Sequence, residues 1–204
     1  MTRGNLILLI LVVAVGLGIA AAASILHDGL SARAKPTQLE AMIARNARHL
    51  AIPSHARAGR NPLSASSENL RDARLHFADH CATCHANDGS GNTMIGQGLY
   101  PKPPDLRLPE TQKLADGELF WIIENGVRFT GMPSFSGGHH GTQEDSWKLV
   151  FFIRHLGQLT ADERLEMERY NPKGPGDLDE EQEEEDFLRA APVQQKPQSS
   201  HPPK

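Results

Sequence analysis

Five residues, Cys81-Ala82-Thr83-Cys84-His85, hold both cysteines of the chain. Cys-x-x-Cys-His is the attachment signature of c-type haem. Two thiols about one helical turn apart can add to the two vinyl groups of one porphyrin edge. The adjoining His85 then offers an imidazole nitrogen to the iron. Three other chemistries use part of this pattern. A thioredoxin-like redox pair needs a βαβ context, and no strand-helix alternation is visible here. A structural zinc site needs four ligands, usually from two such pairs, and there is no third cysteine. A disulfide between residues three apart would add little.

Iron held by one histidine needs a second ligand, and the candidate is Met132 in Gly131-Met132-Pro133. A thioether sulfur is a soft, neutral donor suited to low-spin iron. The glycine permits close approach of the backbone, and the proline stiffens the loop. Met94 is too near His85 in sequence to reach across a porphyrin. Met42 and Met167 fall on predicted helices, and Met1 is the first residue. His139 and His140 are the rivals; bis-histidine ligation would lower the reduction potential relative to His/Met.

The elements around these residues read as helices throughout, so the fold class is all-α. Thr37 and Glu40 have capping-box spacing and open a helix to Leu50, with Leu39, Met42, Ile43, Ala47 and Leu50 on one face. That stripe fits a helix covering a haem domain; a basic amphipathic helix lying on a membrane is the other reading. Residues 51–66 are broken by Pro53, Gly59 and Pro62 and read as a strap. Arg57 and Arg60 in it are cations available to haem propionates, with surface solvation the plainer role. A second helix from about Ser67 carries Leu70, Ala73 and Phe77 on one face and runs into Cys81. A third has Asp116 as N-cap and Gly126 as terminator. Thr142 and Asp145 cap a helix through Leu156 that is apolar on most sides, and Thr160 and Glu163 cap a short one to about Arg169. Between His85 and the third helix, Tyr100-Pro101-Lys102-Pro103-Pro104-Asp105-Leu106 forms a stiff, donor-poor wall.

From Phe77 through the haem motif to Met132 and the last apolar helix, the chain resembles class I cytochromes c, and the resemblance covers about residues 67–170. It implies one covalently bound haem c, Cys81 and Cys84 as its tethers, and His85 and Met132 as axial ligands. It implies an N-terminal helix crossing a C-terminal one, with Phe77 meeting Phe151 or Phe152. It implies a proline carbonyl, Pro103 or Pro104, accepting from the His85 ring, and Leu106 packing on the porphyrin. It also implies a location outside the bacterial cytoplasm, where haem is attached in that family.

Leu6 to Leu26 carries no charged residue and is long enough for a bilayer core of about 30 Å. It reads as a single-pass anchor within residues 1–35, with the haem domain on the outer, periplasmic side. A signal peptide cleaved near Ala23, releasing a periplasmic protein, is the alternative. Residues 36–66 form an extension with one amphipathic helix and the strap. Residues 171–204 hold eight acidic residues between Asp177 and Asp186 followed by Pro-Gln-Ser segments, a composition that predicts disorder. A net charge of −4, with no basic-aromatic interleaving, excludes a nucleic-acid binder. The chain reads as a non-enzymatic one-electron carrier working between redox protein partners and held at the membrane by its N-terminal helix. A haem sensor or catalyst with an open distal position, and an electron-entry subunit of a larger membrane oxidoreductase, are the alternatives.

Overall fold

The computed structural model describes residues 2–28, 31, 32, 34–137 and 142–190. Every regular element among them is helical, as the periodicity predicts. The first, α1 (Arg3–Asp28), includes a span over Arg3–Ser24 long and apolar enough to cross a bilayer. It fits single-pass anchoring or a signal sequence.

Helix α2 (Gln38–Ala51) starts where the capping pattern places it. Thr37 Oγ1 accepts from the Glu40 N–H at 3.2 Å, and the Glu40 carboxylate accepts from the Thr37 N–H at 3.3 Å. Its orientation differs from the covering role. Leu39, Met42, Ile43 and Leu50 are 47–80% exposed. The helix instead turns its other side to the protein, where Ala41 and Arg48 are partly covered. Polar partners account for this choice: the Tyr100 hydroxyl bonds the Glu40 carboxylate, and His49 Nδ1 lies 3.2 Å from a Glu118 oxygen.

The strap is not irregular throughout. It contains α3 (Ser54–Arg57), which packs on the start of α8 (Asp116–Asn125). Only a glycine permits this contact, since a Cβ on Gly117 would stand 1.9 Å from the Ala56 carbonyl oxygen. Ile52, 2% exposed, anchors the strap at one end. At the other, Asn61 Nδ2 donates to the Trp147 carbonyl at 2.8 Å.

The core is the crossing of α4 (Ser67–His76) and α9 (Gln143–His155). Phe77 and Phe152 are 2% and 0% exposed, with ring centres 5.0 Å apart. Phe152, not Phe151, is therefore the crossing residue. Leu119 and Ile123 of α8 and Leu149, Val150 and Ile153 of α9 complete the interior. Helix α9 has the predicted cap, Thr142 Oγ1 accepting from the Asp145 N–H. For α8 the N-cap is Ala115 rather than Asp116. Glu118 reaches back to the Ala115 N–H at 2.8 Å, which leaves the Asp116 carboxylate to pair with Arg154 at 2.7 Å.

After a 3₁₀ turn (Leu156–Gln158) comes α10 (Ala161–Glu168), capped by Thr160. Its carboxylates fasten it to α4. Arg74, buried, holds Glu163 at 2.6 Å and also pairs with Glu166, which takes Arg71 at 2.7 Å. Beyond it, Pro175–Ala190 forms a further helix, α11, where composition predicts disorder. Glutamate is a good helix former, and an acid near the N-terminus interacts favourably with the positive end of the helix dipole. Gly174 donates to the Asp177 carboxylate at 2.7 Å at this start. Residues 191–204 lie outside the described residues.

Candidate haem site

Helix α4 does not continue smoothly into the Cys-x-x-Cys-His motif. Phe77–Cys81 forms a π-helical turn, in which the Ala82 N–H reaches back to the Phe77 carbonyl. Such widened turns insert one extra residue, rotate the next turn of helix about the axis, and concentrate at functional sites. The turn keeps Phe77 in the core while α5 (Ala82–His85) carries the motif onward. The sequence held no signal for it, because the apolar period of α4 simply runs out at Phe77.

Cys81, Cys84, His85 and Met132 all line one cavity of about 430 Å³. Its wall is mainly apolar, with Leu99, Leu119, Ile122, Ile123 and Ile153 among the contributors. Both cysteines are free thiols. Burial pushes the Cys81 thiol up to about 12, and it raises Cys84 as well. Both thiols are half-buried, and a raised thiol is a poorer redox nucleophile than the lowered one a thioredoxin-like pair uses. Burial also lowers His85, to about 4, so that its imidazole is neutral and its lone pair free at physiological pH.

The His85 segment is fixed by its own backbone. The His85 carbonyl accepts from the Gly91 N–H at 2.8 Å, and the Gly89 carbonyl accepts from the Leu106 N–H at 2.8 Å. Helix α6 (Met94–Gly98) is tied in by Thr93, whose hydroxyl donates to the Thr83 carbonyl at 2.8 Å. The ring of Phe77 lies 6.4 Å from that of His85. Helix α7 (Pro109–Gln112) comes after the proline wall, and Gln112 Nε2 bridges the Leu106 and Ile153 carbonyls at 2.7 and 2.8 Å.

Pro103, Pro104 and Leu106 line the cavity, and Leu106 is buried. The expected bond from a proline carbonyl to His85 is absent. His85 Nδ1 is buried without a hydrogen-bond partner. The Pro103 carbonyl instead turns to Gly91, where a Cβ would meet it at 2.8 Å. Rigid proline geometry fixed the wall but not the direction of that carbonyl.

Met132 reaches the cavity from the far end of α8. Its carbonyl accepts from the Val127 N–H at 3.1 Å, and its N–H donates to Thr130 Oγ1 at 3.1 Å. Phe135 N–H then donates to the Ile123 carbonyl at 3.1 Å, returning the loop to the helix. Among the described residues no other methionine lines the cavity; Met94 is 91% exposed and Met167 is buried elsewhere in the core. The rival ligands His139 and His140 lie outside the described residues.

One wall residue is not apparent from sequence. Arg48 of α2 lines the cavity, half-buried, its charge disfavoured by burial despite nearby Glu118. Arg57 and Arg60 do not line it: Arg57 donates to the His49 carbonyl at 3.0 Å, and Arg60 is exposed. Helical phase separates Arg48 from the apolar stripe, but phase alone cannot say which side of α2 faces the protein.

Residues 68–153 match the family model for cytochrome c oxidase, cbb3-type, subunit III. This region is a c-type cytochrome domain. No curated protein matches the chain. The cytochrome domain contains the haem motif, the proline wall, Met132 and the α4–α9 crossing, whereas α1, α2, α3, α10 and α11 lie outside the match. A domain of this kind carries haem c with its iron. The residues present fit that group: two free thiols, a neutral imidazole and a thioether share one apolar cavity.

Proposed function

We propose that the cytochrome domain is a single-electron carrier, in which Cys81 and Cys84 would tether one haem and His85 and Met132 would donate to its iron. The observation that carries this reading is the convergence of all four side chains on one cavity from two segments, the Cys81–His85 motif and the Met132 loop 47 residues further on. The haem, when bound, supplies an Fe(III)/Fe(II) couple. Cys81 and Cys84 would hold it by two thioether bonds, which keeps it from dissociating. His85, kept neutral by burial, presents a nitrogen donor. Met132 presents a soft sulfur, the combination that raises potential relative to bis-histidine. Leu106, Ile122 and Ile153 exclude water, limiting solvent reorganisation around the change in charge. Were His85 and Met132 both to donate to the iron, no position on it would be left for a substrate, and the domain would transfer electrons rather than perform catalysis.

We further propose that α1 remains as a single-pass anchor and holds the domain at the outer face of the membrane. The length and composition of its apolar span support the anchor; the outer face is what the resemblance to cytochromes c implies. A second reading draws on the matched family, whose description names an oxidase subunit. In it the protein is the electron-entry subunit of a membrane complex, and its redox partners include the rest of that complex. Copurification in mild detergent separates that reading from a free carrier.

The test of ligation is an absorption spectrum of the purified protein in both redox states, with pyridine haemochrome and a Met132→Ala variant. A c-type haemochrome with a sulfur–iron charge-transfer band lost in Met132→Ala is the expected result. A low-spin spectrum without that band would transfer the distal role to His139 or His140. A high-spin spectrum would indicate a sensor or catalyst with an open position, and absence of haem would overturn the proposal.

A further inference from the structure

Helix α2 belongs to no part of the matched cytochrome region, yet it places a cation in the wall of the cavity. Four arginines of the domain are paired with carboxylates. Arg71 and Arg74 grip the carboxylates of α10, Arg107 holds Asp88 and Asp105, and Arg154 holds Asp116. No hydrogen bond or ion pair runs from the Arg48 guanidinium to any described residue. The acid that acts on it, Glu118, takes the Ala115 N–H on one oxygen, and its other oxygen lies 3.2 Å from His49 Nδ1 with no hydrogen bond to Arg48. A partly desolvated guanidinium with no fork partner is unfavourable unless a ligand supplies one.

Haem c carries two propionates, and a guanidinium meets a carboxylate through two parallel charge-assisted hydrogen bonds. We propose that Arg48 pairs with a haem propionate, and that this ion pair is what holds α2 on the cytochrome domain. The inference rests on the haem reading of the cavity. The other attachments of α2 are few, the Tyr100–Glu40 bond and the largely exposed His49 beside Glu118, which supports it. None of its side chains is buried, its apolar stripe points away, and the Tyr100–Glu40 bond is exposed. The extension before the cytochrome domain is thus a strap closed by the cofactor itself. Other charged groups bordering this edge are Lys102 and His80 on the cavity wall, Glu118 on α8, and Arg45 and His49 on α2. Lys102 is engaged by the Gln97 side chain at 2.9 Å.

The test uses the full-length haem-loaded protein with Arg48→Gln, Arg48→Lys and, as control, Arg45→Gln. Covalent attachment through Cys81 and Cys84 keeps the haem in every variant. Hydrogen exchange is followed across α2, α4 and α9, and midpoint potential is measured against pH. Arg48→Gln is expected to speed exchange in α2 by about tenfold or more, with α4 and α9 unchanged. It should also lower the potential, because a positive charge beside the ferric state is removed. The fall should shrink on acidification, as the released propionate protonates. Arg48→Lys should recover part of both effects, and Arg45→Gln should leave exchange in α2 unchanged and lower the potential less than Arg48→Gln, with no change in its pH dependence. Wild-type exchange and potential in Arg48→Gln, with a normal c-type haemochrome, would overturn this inference alone. Absence of that haemochrome in the wild type would overturn the haem reading and this inference together.

Discussion

Gly117→Ala places one methyl group where α3 crosses α8, and the structure sets the size of the effect. The new Cβ would stand 1.9 Å from the Ala56 carbonyl oxygen, 2.9 Å from the Gly59 carbonyl oxygen and 3.0 Å from the Gly59 Cα. Non-bonded heavy atoms settle at roughly 3.5 Å, so α3 must retreat by more than about 1 Å. All three obstacles are backbone atoms, and no side-chain rotation relieves the clash. Overpacking of this kind costs about 1–3 kcal/mol, sometimes more. The better helix propensity of alanine offsets less than about 1 kcal/mol. The net expectation is a loss of about 1–3 kcal/mol. It would be measured by guanidinium unfolding of the haem-loaded protein, read by tryptophan fluorescence and by the haem band. Limited proteolysis should cut the strap between Ala51 and Asn61 faster than in the wild type. Gly98→Ala is the control, since a Cβ there meets nothing within 4 Å; its effect should stay within about 0.5 kcal/mol. Wild-type stability in Gly117→Ala would refute the claim that the strap rests on the α8 backbone.

Phe152→Ala removes a fully buried ring from the α4–α9 crossing and should cost about 3–5 kcal/mol in the same unfolding assay; a loss under about 1.5 kcal/mol would place the crossing elsewhere. Burial raises the Glu163 carboxyl, but the Thr160 backbone N–H and the His155 and Thr160 side chains outweigh it and hold the group at about 2 rather than 4.5. A depressed carboxylate contributes stability that is fully present above about pH 4.5 and lost as pH falls toward about 2. Screened by solvent, that contribution is about 1–2 kcal/mol, so Glu163→Gln should lose less stability than wild type between pH 5 and 3; equal acid profiles would refute it. Cys84→Ala should leave haem attached through Cys81 alone, with the pyridine haemochrome shifted to longer wavelength; an unshifted band would show that Cys84 forms no thioether.

The elements that short-range chemistry specifies were the legible ones. Capping boxes at Thr37, Thr142 and Thr160 each start a helix, because the donor and acceptor lie three residues apart in one chain. Cys81, Cys84 and His85 announce themselves for the same reason, their spacing being the chemistry. Met132 could be proposed because its glycine and proline neighbours describe a loop, and few other methionines compete. The placement of Asp116 and the proline carbonyl was less legible, since each depends on residues distant in sequence. Asp116 went to Arg154, and Pro103 turned toward Gly91.

The sequence by itself determined the covalent haem motif, the all-helical class, the apolar N-terminal span and the helix starts. All of these depend on residues within a turn or two of one another. Only the tertiary structure decided which face of α2 meets the domain, that Phe152 rather than Phe151 crosses Phe77, and that Arg48 enters the cavity with Met132. Those outcomes depend on long-range packing, where an apolar stripe at Leu39 and Leu50 can be outweighed by polar partners on the opposite side. Helical periodicity specifies the faces of an element; contacts distant in sequence select the one that is used.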